Sequence, residues 1–252
     1  MRALKVMLIV VGLIFGLTAE AQKIVQRYAF EGTLAGKTPV RLAFEVNAEK
    51  IAAGAIYYPN AKNPAQILIV GSTLEPNSFH FREFQDNGYV TGSMSIQIKN
   101  GRLTGTWTNP KTGKQLAFTG MRSISFPQGF GGKLVPESPD HIGKEYEYSF
   151  YNENYKADMG GSVSFKAAGK NRVSFYVSNC PQNIAEGESE KGRPAVLSGN
   201  YFKYLNVNEC GYGFEAFFYP RFVILKTVTD FESIHCFGLN ATFEGAYIKT
   251  KE

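Results

Sequence analysis

The stretch SMSIQIKNGRLTGTWT, residues 93–108, decides the fold. Met94, Ile96 and Ile98 alternate with Ser95, Gln97 and Lys99. A period of two puts one set on each face of a strand, the pattern of an antiparallel strand buried on one side. Asn100-Gly101 follows at once. A two-residue type I′ turn needs φ above zero twice, and Asn-Gly supplies that pair. Residues 102–108 read as the returning strand, so the stretch is a hairpin.

The same alternation extends toward the N-terminus. In 38–46, Val40, Leu42, Phe44 and Val46 form one set, with Arg41 and Glu45 between them. Further candidate strands are 27–34, 51–58, 66–71, 79–84 and 114–121. Turn signals separate them: Ala35-Gly36, Asn47-Ala48, Pro59-Asn60, Pro76-Asn77, Asp86-Asn87-Gly88 and the run 109–113, NPKTG. Eight short strands with short connections make a meander. Such meanders close into up-and-down barrels or fold as sandwiches, because closure removes exposed edges. A barrel of this size is filled by side chains or holds one small ligand.

Residues 126–142 begin FPQGFGGKLVPESP and read as a linker rich in Pro and Gly, with Phe126, Phe130, Leu134 and Val135 able to pin it to a surface. Alternation resumes in 144–151, 161–166, 172–177, 200–207, 212–219, 222–229 and 241–249. The polar run 181–194, with Glu186, Glu188 and Glu190, reads as a long exposed loop. No stretch has a period of 3.6. The chain is therefore read as all-β, with a barrel-like eight-stranded antiparallel meander over 22–125 and a second antiparallel β domain over 143–252.

Residues 1–21 carry a basic start (Arg2, Lys5), an apolar run over 6–17 and Ala19-Glu20-Ala21. That is the pattern of a secretory signal cut before Gln22. Spanning a bilayer takes about 20 apolar residues, which this run does not reach. The expected location is periplasmic or extracellular, with no transmembrane segment in the mature chain.

The chain has 252 residues and a formal net charge of +5. Residues 22–125 carry +6 and residues 126–252 carry −2. No Lys/Arg cluster is long enough to track a phosphate backbone, so nucleic acid is not an expected partner. With 35 aromatic residues the chain can offset its ordering entropy, which excludes a disordered protein.

Three cysteines, 180, 210 and 236, are an odd number for a secreted chain. Strands 212–219 and 222–229 form a hairpin turning near Pro220, which leaves Cys210 and Cys236 at the same open end. A Cys210–Cys236 bridge would close a loop of about 26 residues, worth roughly 3 kcal/mol, and leave Cys180 free. His80, His141 and His235 form no metal-binding spacing, and no GxSxG elbow, P-loop or dinucleotide fingerprint is present. No catalytic residue, metal or cofactor is assigned. Glu145 with Glu147, and the Glu186–Glu188–Glu190 run, are the acidic pairs on which a carboxylate-dependent hydrolase would have to rest.

Aromatic and basic residues of the first module are the candidate ligand contacts: Trp107, Phe79, Phe81, Arg82, Tyr57 and Arg102. By period two, Phe79 and Phe81 share a face with Glu83, and His80 and Arg82 share the opposite face with Phe84. Faces that mix aromatic and charged groups can line a polar-tipped pocket.

Two stretches carry a resemblance. EGTLAGKTPVRLAFEV, GAIYYP and REFQDNGYVTGSMSIQIKNGRLTGTWTNPKTGK, within about 28–121, resemble a module of secreted proteins of Gram-negative bacteria, which implies no particular chemistry. Glu209-Cys210-Gly211-Tyr212, His235-Cys236-Phe237-Gly238 and Glu244-Gly245-Ala246-Tyr247-Ile248-Lys249 are similar to the terminal β domain attached to LprI-type lysozyme-inhibitor proteins. That resemblance implies the same Cys210–Cys236 pairing. The helical, Cys-rich first domain of those proteins is missing, so inhibitor function does not carry over. The sequence thus leads to a non-enzymatic binding module for an envelope ligand or protein partner. Inhibition of a cell-wall lytic enzyme and carboxylate-dependent hydrolysis are the alternatives.

Overall fold

The computed structural model describes residues 23–123, 134, 143–180, 185–189, 192–206, 211–228 and 242–250. The fold is all-β. Strands β1 (Ile24–Leu34), β2 (Thr38–Asn47), β3 (Ile51–Tyr57), β4 (Gln66–Glu75), β5 (Ser78–Phe84), β6 (Val90–Lys99), β7 (Arg102–Thr108) and β8 (Gln115–Arg122) pair in chain order. β8 also pairs with β1, which closes the barrel. The β6–β7 turn has Asn100 at φ 51° and Gly101 at φ 74°, the two left-handed residues a type I′ turn requires.

The barrel interior is filled. Phe44 lies 5.0 Å from Tyr28, 5.0 Å from Phe79 and 4.9 Å from Phe81, ring centre to ring centre. Phe30, Leu42, Ile56, Ile69, Met94, Ile96 and Phe118 complete this core. Each fully buried side chain of this size stabilises the fold by about 1.5–3 kcal/mol.

The second sheet runs β12 (Ala185–Glu188), β11 (Arg172–Cys180), β10 (Ala157–Ala167), β9 (Glu145–Asn152), β17 (Gly245–Lys249), β16 (Phe222–Thr227), β15 (Gly213–Tyr219) and β14 (Tyr201–Leu205). The short β13 (Ala195–Val196) also pairs with β11. The sheet curls around Tyr146, Phe165, Phe175, Phe202, Phe214 and Phe218. The 181–194 run is not wholly a loop: residues 185–188 add a strand to the edge of β11. Ala185 is buried there, and a side chain at Gly187 would collide with the Phe243 ring. Small residues at alternate positions let this acidic segment lie on the sheet while Glu186 and Glu188 point to water.

Barrel and sheet share one core. Ile51, Ala53, Leu68, Val70, Phe84 and Val90, all on the outer face of β3–β6, belong to the same buried cluster as the residues of the second sheet. In β15 and β16, Phe217, Tyr219, Phe222 and Ile224 are as buried as Phe218, Val223 and Leu225, which lie on the opposite face. Strands covered on both faces read as continuous apolar runs, which accounts for AFFY and FVIL. Of residues 126–142 only Leu134 is described, and it lies in this shared core. The pairing assigned to Cys210 and Cys236 falls outside the described residues.

Hydrogen bonds fix the docking. Asn47, buried at the end of β2, donates from Nδ2 to the Tyr219 hydroxyl at 3.0 Å and accepts from the Ile51 amide. Lys226 Nζ donates to the Glu49 carbonyl, and Arg221 pairs with Asp86 at 2.5 Å. A Tyr219→Phe variant leaves Asn47 without its acceptor and should lose about 1–3 kcal/mol in urea unfolding. Emission from Trp107, the one tryptophan, reports on the barrel, and near-ultraviolet tyrosine dichroism reports mainly on the sheet. The two signals should share one midpoint, and separated midpoints would contradict a shared core.

Candidate functional site

Neighbouring residues on β5 lead to two different environments. Glu83 points into the barrel and Arg82 points out toward the second sheet. Period two dictates this split.

Glu83 is 2% exposed. Its Oε1 accepts from the Tyr58 hydroxyl at 2.5 Å and from Trp107 Nε1 at 2.9 Å, and its Oε2 accepts from the Thr91 hydroxyl at 3.3 Å. Thr91 is available because the β5–β6 ladder slips there: Glu83 pairs with Gly92, but Phe84 pairs with Val90. The bulge sets Thr91 outside the ladder. Gly92 is a requirement of space, since a Cβ there would collide with the Trp107 indole and the Glu83 carboxyl. Burial and the adjacent Glu83 charge raise the Tyr58 hydroxyl far above its usual range. Chemically this cluster is a satisfied polar plug. Trp107 is engaged by Glu83, and Phe79 and Phe81 are locked in the barrel core.

Arg82 enters the seam between barrel and sheet. Its guanidinium carbon lies 4.7 Å from the centre of the Tyr148 ring on β9. Tyr148 is held in place: its hydroxyl donates to Asn179 Oδ1 at 2.5 Å, and Asn179 Nδ2 donates to the Thr242 carbonyl. Burial raises the Tyr148 hydroxyl above its usual range, and the Arg82 charge opposes that shift. Arg82 Nη1 is buried and has no hydrogen-bond acceptor among the described residues. Leaving such a donor unsatisfied costs about 1–3 kcal/mol, more where the group is charged.

Around it lies a cleft of about 320 Å³. One wall is a grid of outward positions on three barrel strands. Ser72, His80 and Ser95 form one row of the ladder, and Val70, Arg82 and Ser93 form the next. The other wall is Ile224 to Lys226 on β16 and Glu244 to Ala246 leading into β17. His80 Nδ1 lies 3.0 Å from the Ser95 hydroxyl. Glu244 is exposed, and no carboxylate is ion-paired with Arg82 among the described residues.

The remaining sequence candidates lie elsewhere. Tyr57 packs outside the barrel on Ala29, Ala43 and Ala55. Arg102 is exposed beside the β6–β7 turn, in a shallow surface with Glu31, Thr104 and Thr119. Of the six candidates only Arg82 and the backbone flank of Phe81 reach the cleft. Serines 72, 93 and 95 and the β16–β17 wall were missed, because on a solitary barrel those faces would be solvent. Glu145, Glu147, Glu186 and Glu188 are exposed, no two of them line the same described cleft, and Glu190 falls outside the described residues. Cys180 is a half-buried free thiol, and no group of three His, Cys, Asp or Glu among the described residues could hold a metal ion. His141 and His235 fall outside the described residues.

Burial holds the Glu83 carboxyl above its ordinary 4.5, against three hydrogen bonds that lower it. A native pKa above the unfolded one means stability that is present below the unfolded value and lost as pH rises through the folded value. Glu83→Gln should therefore gain on the wild type as pH rises from about 4.5. Trp107 emission should titrate over the same window in the wild type and not in the variant. A stability gap that does not change with pH would show that Glu83 titrates alike in the folded and unfolded chain.

Comparison of the chain with protein-family models, with curated proteins and with solved structures found no match.

Proposed function

We propose that this chain is a non-enzymatic binding protein of the periplasm or extracellular space. Its ligand belongs to the cell envelope and is taken in the seam between barrel and sheet, not inside the barrel. The observation that carries this reading is the cleft itself. Its volume of about 320 Å³ is at the small end of small-molecule sites. Its walls come from two packed units, a common place for such sites. Apolar groups (Val70, Ile224, Ala246) and polar groups (Arg82, Ser72, Ser93) converge on it. Phe79 and Phe81 are taken up by the barrel core and Trp107 by Glu83, which leaves these three as scaffold. The leader pattern of residues 1–21 supports the location.

The test is a nuclear magnetic resonance screen of the exported protein against small organic fragments. Ligands should shift the amide resonances of Ser72, Arg82, Ser93, Gly245 and Ala246 and leave those of Phe30, Phe44 and Phe118 in place. Shifts confined to the barrel interior, or none in the seam, would overturn the reading. The location is checked by fusing residues 1–21 ahead of a phosphatase that is active only outside the cytoplasm. The fusion should be active, and an inactive one accumulating in the cytoplasm would overturn it.

A further inference from the structure

We infer that the seam recognises an oxyanion carried on a short apolar group, a carboxylate or a phosphate ester, with Arg82 as the anion-binding residue. This rests on the seam being the binding site. Three observations carry the chemistry.

The first is the state of Arg82. Its ring partner, Tyr148, is fixed by Asn179, and its ring centre lies 4.7 Å from the guanidinium carbon. A ring face satisfies charge but accepts no N–H in the plane of the fork. Nη1 is a buried donor with no acceptor among the described residues. Guanidinium groups match carboxylate and phosphate oxygens in geometry, which makes these the acceptors best suited to it.

The second is the space in front of it. Gly245 has φ 153°, a conformation that side chains rarely adopt, and a Cβ there would stand 3.8 Å from Nη1. Any larger residue would fill the ground an anion needs.

The third is the balance of the lining. Ser93 sits opposite Arg82 in the ladder, and Ser72 one row away, and both line the cleft with Arg82. Lys226 uses one of its three N–H groups on the Glu49 carbonyl, leaving two. Val70 and Ile224 supply the apolar contact that an alkyl group would cover.

The test is titration of the wild-type protein with hexanoate, hexyl phosphate and neutral hexanamide, followed by amide resonances. One of the anions should shift Ser93 and Gly245 saturably, with hexanamide at least about tenfold weaker, the change expected on losing one charge-assisted hydrogen bond. The tighter anion identifies the source of the charge. Arg82→Gln should lower the anion affinity by about tenfold or more and leave any hexanamide binding unchanged. Equal binding of hexanoate and hexanamide overturns the oxyanion and leaves the seam as a site. Seam shifts by either anion that survive Arg82→Gln overturn the role of Arg82, which would then only clamp barrel to sheet. If Arg82→Gln does not fold, the contrast between hexanoate and hexanamide on the wild type decides. Absence of seam shifts with both anions overturns the inference, while the fragment screen judges the seam independently.

Discussion

Burial of a second face of β15–β17 against the outside of the barrel is the constraint on which the rest depends. Sheets covered on one side only can leave the other side to water, but Phe217, Tyr219, Phe222, Ile224 and Ile248 are all buried. A surface of that composition must be covered. The outer face of β3–β6 covers it, with Ile51, Ala53, Leu68, Val70, Phe84 and Val90. Two β units thereby become one folded body, and the seam between them becomes a place where chemistry can be arranged.

The two charges side by side on β5 show what that seam does. Glu83 is turned inward and meets three donors from β6, β7 and the end of β3, so its burial is compensated within the barrel. Arg82 is turned outward and would be an ordinary solvated arginine on a barrel standing alone. Docking of the sheet removes its Nη1 from water and sets the Tyr148 ring against the guanidinium, with no acceptor for that nitrogen among the described residues. The same alternation thus yields a satisfied group on one face and an unsatisfied one on the other. Only the unsatisfied one invites a ligand.

Much of the barrel could be read directly. The alternation in residues 93–99, the Asn100-Gly101 turn and the short connections led to eight antiparallel strands, and the structure has them. Glu83 was placed with Phe79 and Phe81 by period two, and Gly92 within a strand is a signal of close approach, here by Trp107. The bulge at Thr91 was not legible, because a ladder slip depends on which residue of the partner strand wins each pairing. The short β12 was hidden for a related reason: an acidic segment joins a sheet edge through its backbone and its small residues, not through an apolar pattern. The seam residues were the least legible, since serines 72, 93 and 95 alternate as a solvent face does.

The sequence alone was enough for the class of fold, the strand count of the barrel, its turns and the sidedness of the strands that alternate regularly. These follow from local rules, periodicity and turn chemistry, that act within a few residues. Tertiary structure decided that the barrel interior is packed, that Phe79 and Phe81 are core, and that Arg82 lines a cleft. Those outcomes depend on which surfaces meet across long separations in the chain, and burial of a polar group is a property of the meeting, not of the residue.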